Sequence, residues 1–333
     1  MIQKQRIEIV DYLRGFALIG ITFTNIFQNT SMVSTDAHPY FSSFIYTFMV
    51  SKFIYIFMFL LGLSSALLMS NLKKRGERAN LIYIRRFSIL LLIGVTCTFV
   101  GVPAGGLFIM YAIYGLIGFV FQYIPPMINI VVFIAIAILI WFTRDMVLIE
   151  GESANNQIVS LVSMFSGLSM VILGIFLGQV SFFNHLQRCK VLLVTGLVLL
   201  FFLTYYSFGW MNNFSSFVLP LFYIVCFTIL SMIPMVRSMF SSLIAFGRMS
   251  MSNFIVHTSI VFDYLENEKF SFLTYLGIGL SIIVIQIIYS NIWLKYFRMG
   301  PLEWIWRIGI YWKEVRIVDQ FEKDSNFKEN KTC

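Results

Sequence analysis

Long apolar runs separated by short polar stretches fill the chain from near residue 9 to near residue 312. A membrane-crossing helix needs about 20 mostly apolar residues. With that ruler the pattern predicts about ten spans, at 9–28, 43–70, 82–102, 107–124, 127–143, 157–180, 190–208, 215–235, 243–263 and 271–291. The second run is long enough to tilt, or to begin as an interfacial helix. Tyr296 to Trp312 differs in kind. Gly300-Pro301 breaks the chain, Pro301 suits the first turn of a new helix, and Glu303 falls where the helix dipole favours an acid. Trp304, Trp306, Tyr311 and Trp312 alternate with Arg298, Arg307 and Lys313, predicting an amphipathic interfacial helix. The expected fold is an all-α, polytopic transmembrane helix bundle. Residues 1–313 form one multi-span domain and 314–333 a polar, flexible cytoplasmic tail.

Composition carries the same message. Of 333 residues, 59% are hydrophobic and 12% charged, against about 25% charged in soluble domains. Mean hydropathy is +0.83. This excludes a soluble enzyme and a nucleic-acid-binding domain. The net charge of +8 is explained by orientation, because Lys and Arg are retained on the cytoplasmic side. With the N-terminus inside, cytoplasmic loops carry Lys73, Lys74, Arg75, Arg78, Arg188, Lys190, Arg237 and Arg248, with Arg85 and Arg86 at the start of the third span as part of the same orientation signal. The outer loops then carry Asp36, Asp145, Glu150, Glu152, Asp263, Glu266 and Glu268, against only Arg144 and Lys269. The asymmetry predicts an even number of spans with both termini cytoplasmic. Asp11 and Arg14 interrupt the first apolar run, so it is expected to be retained rather than cleaved. Cys97, Cys189, Cys226 and Cys333 are far apart, with no disulfide or metal spacing. Three scattered histidines and no acidic cluster predict no metal site and no tightly bound cofactor.

Ionisable residues within spans are costly and face the bundle interior or water. Asp11, Arg14, Thr22 and Asn25 share one face of the first span, and Asp11 and Arg14 are spaced to pair. They read either as a structural ion pair or as a wall of a polar binding site. Lys52, at the outer end of the second span, either snorkels or binds an anionic group. Ser250, Asn253 and His257 share a face of the ninth. His257 reads as a general base or acyl acceptor, or as a histidine satisfied by a neighbouring helix. His38 lies in an outer loop beside Asp36 and is a second catalytic candidate; His185 reads as a surface residue. The basic run Lys73–Arg78 is an orientation signal or a contact for anionic headgroups. Gly62 and Ala66 predict close helix packing.

Several stretches resemble one family: Asp11-Tyr12-Leu13-Arg14-Gly15, Lys52-Phe53 leading to Phe59-Leu60-Leu61-Gly62, Tyr111-Ala112-Ile113-Tyr114-Gly115-Leu116, Gly247-Arg248-Met249-Ser250-Met251-Ser252-Asn253, and Arg298-Met299-Gly300-Pro301-Leu302-Glu303-Trp304. In this order they resemble the YeiB-like family, domain of unknown function 418. The resemblance implies a multi-pass protein of the bacterial cytoplasmic membrane, distantly related to transmembrane acyltransferases. Those pass an acyl group from a cytosolic coenzyme A thioester to an acceptor across the membrane, with a histidine central. Gly105 and Gly106 stand where the family commonly has an acidic residue.

The expected function is therefore acyl transfer from a cytosolic donor, acyl-coenzyme A, to an extracytoplasmic sugar, envelope polymer or small molecule. His257 or His38 would be the catalytic base or relay, and Asp11, Arg14, Asn25, Lys52 and Asn253 would line the path. The expected partners are the bilayer, donor and acceptor, with no nucleic acid; a homo-oligomer is compatible. The rival readings are a small-molecule transporter or exporter and a non-catalytic stress or immunity protein.

Overall fold

The computed structural model describes residues 2–29, 31–32, 39–146, 152–186, 188–208, 213–265 and 269–312. The expected tail, His38 and Asp36 lie outside these residues. The described chain is helical: α1 (Ile2–Asn29), α2 (Pro39–Phe48), α3 (Lys52–Lys74), α4 (Ala79–Phe99), α5 (Gly105–Phe121), α6 (Pro126–Met146), α7 (Glu152–Gln179), α8 (Lys190–Phe208), α9 (Asn213–Ser231), α10 (Pro234–Met239), α11 (Ser242–Arg248), α12 (Ser250–Tyr264), α13 (Phe272–Tyr296) and α14 (Pro301–Tyr311). One short parallel pairing, β1 (Ser31–Met32) with β2 (Lys269–Phe270), joins the chain after α1 to the chain before α13.

Five stretches are long and apolar enough to cross a membrane: Glu8–Asn29, Phe44–Lys74, Ala79–Phe99, Ser160–Gln179 and Phe272–Tyr296. Four further apolar helices, Gly105–Phe121, Pro126–Phe142, Lys190–Tyr206 and Phe217–Ser231, are shorter. Large apolar side chains such as Leu92, Phe99, Val131, Phe142, Phe202 and Ile285 are exposed. An outer surface of this kind is stable against lipid, not water. The chain is a membrane protein.

Two expected spans are broken. The second divides at Ser51, whose φ of 66° ends α2 and re-aims the chain into α3. Lys52 Nζ donates to the Tyr46 carbonyl at 3.2 Å, placing a cation at the last turn of α2, where helix carbonyls lack partners. The ninth divides at Met249 into α11 and α12. Neither break leaves a mark in hydropathy.

The central seam joins α3 to α7, and small residues make it possible. A Cβ on Gly62 would stand against the Val171 carbonyl, and one on Gly174 against the Phe59 carbonyl. The backbones therefore touch at these points, as small residues allow between helices in lipid. Ala66 meets Gly178 further along the seam, as the spacing of Gly62 and Ala66 predicts. Around this seam α1 is mostly buried, while α4 and α13 expose most of their surface.

Candidate functional site

A cavity of about 600 Å³ opens between α1, α3, α4, α5, α11, α12 and α14. Its two ends differ in chemistry. The inner walls are apolar: Ile21 on α1, Phe57 and Leu61 on α3, Leu90 on α4, Phe108 on α5 and Phe254 on α12. Arginines from five parts of the chain collect toward the other end: Arg14, Arg86, Arg248, Arg298 and Arg307. Arg248, Arg298 and Arg307 are exposed, so this end meets solvent.

Three acids also line the cavity, Glu8, Asp11 and Glu303, and each is engaged. Asp11 Oδ1 accepts from Arg14 at 3.0 Å, the pair that their spacing predicts. Glu8 pairs with Arg237, whose carbonyl accepts from Tyr12 Oη at 2.7 Å. Close packing of α11 on α1 sets this corner, since a Cβ on Gly247 would overlap the Asp11 carbonyl.

Glu303 acts across 51 residues. Its Oε1 accepts from the backbone N–H groups of Met251 at 2.8 Å and Ser252 at 3.2 Å, and Oε2 accepts from Ser252 Oγ at 2.5 Å. It therefore caps α12 as well as sitting in the first turn of α14. Two helix N-termini favour one carboxylate. Burial nevertheless pushes the Glu303 carboxyl above the usual carboxylate range, against the pull of these donors. In the sequence the only signal for this role is an acid after Gly-Pro in an apolar neighbourhood.

Arg86 is the innermost cation. One guanidinium nitrogen donates to Ser64 Oγ at 3.3 Å, and Nε is buried without a partner. The guanidinium stacks over Trp306 at 4.9 Å and Phe87 at 5.7 Å. Neither Arg86 nor Arg307 meets a carboxylate within ion-pair distance among the described residues. Arg14 and Arg307 are near enough to Arg86 to repel it. Like charges converging beside apolar walls are stabilised by an anion among them. The sequence pattern marks Arg86 as an orientation signal and misses this convergence, because its parts lie on separate helices.

The expected site residues divide into separate groups. Asp11 and Arg14 line the cavity. Half-buried Asn25 and buried Asn253 and His257 form a polar cluster beside it. Asn25 Nδ2 lies 3.3 Å from His257 Nε2, and Asn253 Nδ2 donates to Ser290 Oγ at 2.8 Å. Gln286 Nε2 donates to the Asn253 carbonyl at 2.9 Å. His257 Nδ1 and Gln286 Oε1 are buried without partners. Phe254 lines the cavity and packs edge-on against the His257 ring at 5.3 Å, so His257 stands one side chain behind the cavity wall. Lys52 stands apart, fastening α2 to α3, and His185 is exposed. Among the described residues no cluster of three His, Cys, Asp or Glu could hold a metal.

No solved structure matches this chain significantly. A family profile described as "Protein of unknown function (DUF418)" matches residues 194–313, the part that supplies Arg248, Phe254, His257, Arg298, Glu303, Trp306 and Arg307. An "Uncharacterized 39.9 kDa protein in amylase 3'region" of Bacillus acidopullulyticus is 29% identical over 96% of this chain and 98% of its own length. The "Uncharacterized protein YxaH" of Bacillus subtilis (strain 168) is 24% identical over 94% of this chain and 96% of its own length. The "Uncharacterized protein YeiB" of Escherichia coli (strain K12) is 38% identical over 18% of this chain and 17% of its own length. These matches support a YeiB-like DUF418 family assignment.

Proposed function

We propose that this protein is a multi-pass acyltransferase of the bacterial cytoplasmic membrane. It takes an acyl group from a cytosolic thioester donor such as acyl-coenzyme A and delivers it to an extracytoplasmic acceptor. The observation that carries the reading is the cavity's division into an arginine-rich mouth and apolar walls, which matches a thioester with a phosphate-bearing head. In this reading α1, the α2–α3 pair, α4 to α9, the α11–α12 pair and α13 supply ten spans, with both termini and the arginine mouth cytoplasmic. That orientation keeps the basic loops inside.

The chemistry is an attack by an acceptor hydroxyl or amine on the thioester carbonyl carbon. A C–O or C–N bond forms, the C–S bond breaks, and the thiolate leaves. Neutral His257 takes the acceptor's proton and returns it to the sulfur. Asn25 orients the imidazole, and rotation of the Phe254 ring joins the histidine to the cavity. His38 remains the alternative base.

The test is transfer of labelled acyl groups by the protein in proteoliposomes. His257→Ala or His38→Ala is expected to abolish it. Full transfer by both variants overturns the histidine mechanism. One observation favours a second reading, a transporter of amphiphilic anions: among the described lining residues the cavity has no histidine or cysteine. Flux of an intact labelled solute without thioester cleavage would decide for transport.

A further inference from the structure

The cavity's shape says more about the ligand than its charge does. On α1 its lining runs from Asp11 to Ile21; at 1.5 Å per residue this is about 15 Å along the helix axis. On α3 it runs from Ser64, beside Arg86, down to Phe57. Tyr111 lines the cavity from α5. A two-carbon acyl group would leave most of this apolar wall unmatched.

We infer that the cavity takes a phosphate-headed amphiphile with a single medium-length apolar chain. Arg86 and the mouth arginines hold the head, and the chain lies along the Phe57–Leu61 wall of α3. This rests on the acyl-donor reading and sharpens it to medium-chain donors in place of acetyl. Charge complementarity selects the head, since the cavity's carboxylates are already engaged while Arg86 and Arg307 have none. Hydrophobic burial selects the chain, each methylene being worth about fourfold in affinity.

Trp306 stacks on Arg86 and reports occupancy. The experiment titrates the full-length protein in nanodiscs with decanoyl-coenzyme A, acetyl-coenzyme A, coenzyme A, decyl phosphate and decyltrimethylammonium, reading tryptophan fluorescence. Trp306→Phe identifies the signal. Decanoyl-coenzyme A is expected to bind ~100-fold or more tightly than acetyl-coenzyme A. Decyl phosphate should bind and decyltrimethylammonium should not. Arg86→Gln should weaken the phosphate-headed ligands ~10-fold or more. Leu61→Phe, which narrows the apolar wall without touching the arginines or adding an indole, should move the preference to shorter chains. It serves as the test if Arg86→Gln does not fold.

Equal affinity for coenzyme A and its decanoyl thioester overturns the inference, as does equal binding of the cationic amphiphile. A lysophosphatidate supplied in the bilayer distinguishes a membrane source from a cytosolic one. If it binds and decanoyl-coenzyme A does not, the ligand inference stands and the acyl-donor reading fails. If acetyl and decanoyl groups are transferred equally well, the acyltransferase reading stands and the chain-length inference fails.

Discussion

Trp306 and Arg86 hold each other twice. The indole Nε1 donates to the Arg86 carbonyl at 3.2 Å, and the Arg86 guanidinium lies 4.9 Å from the Trp306 ring centre. Backbone and side chain of one residue are thus bound to one indole, which ties α14 to α4. Arg85 repeats the contact one residue earlier, stacking at 4.7 Å on Trp312. Trp306→Phe keeps the ring and removes the hydrogen bond, and is expected to cost about 1 kcal/mol. Trp306→Ala removes both and should cost about 2–3 kcal/mol. Thermal unfolding in micelles checks the order; equal midpoints for Ala and wild type would refute the coupling.

Glu303 predicts a pH effect on stability. Its folded pKa is raised by burial, so the folded state binds the proton more tightly than the unfolded state does. The associated stability is present below the unfolded pKa and is lost as pH rises through the folded one. Between about pH 4 and the raised value, unfolding should become easier with pH. Glu303→Gln should flatten this slope, keeping an amide oxygen for Met251 and Ser252. Glu303→Ala strips the cap from α12 and should cost about 1–3 kcal/mol. Identical pH profiles for wild type and the Gln variant would remove Glu303 as the source.

The α3–α7 seam makes a sharper demand. Gly62→Ala and Gly174→Ala each force a methyl group into a facing backbone carbonyl, which cannot move aside as a side chain can. Each should cost about 1–3 kcal/mol or more. At Gly106 or Gly196 a Cβ meets nothing within 4 Å, and Ala there should be neutral or mildly stabilising. Comparable yields of folded protein from all four variants would contradict the packing described.

The Asn25–His257 contact should appear as an energetic coupling. A double-mutant cycle with Asn25→Leu and His257→Leu is expected to give about 1 kcal/mol. Strict additivity would mean that the two side chains are neighbours without a bond.

Hydropathy made the helices legible, because lipid imposes one rule over every long apolar run. Spacing alone paired Asp11 with Arg14 and placed Pro301 at the start of α14. The breaks at Ser51 and Met249 were illegible, since a backbone torsion leaves apolar composition unchanged. Asn25, Asn253 and His257 could be picked out as costly polar groups in spans. Their separation from the cavity by Phe254 could not, because it depends on how α12 rotates against α1. Arg86 carries the same limit: its partners Ser64 and Trp306 lie 22 and 220 positions away.

The grip of Glu303 on α12 also has a temporal meaning. Residue 303 leaves the ribosome long after α1, α3 and α4 have been made, so the chamber they outline lacks a wall until α14 follows. A nascent chain therefore has no finished pocket to occupy. A stop codon placed just before Pro301 should yield an inserted protein whose α12 begins uncapped and whose remaining cavity arginines lack the cover of α14.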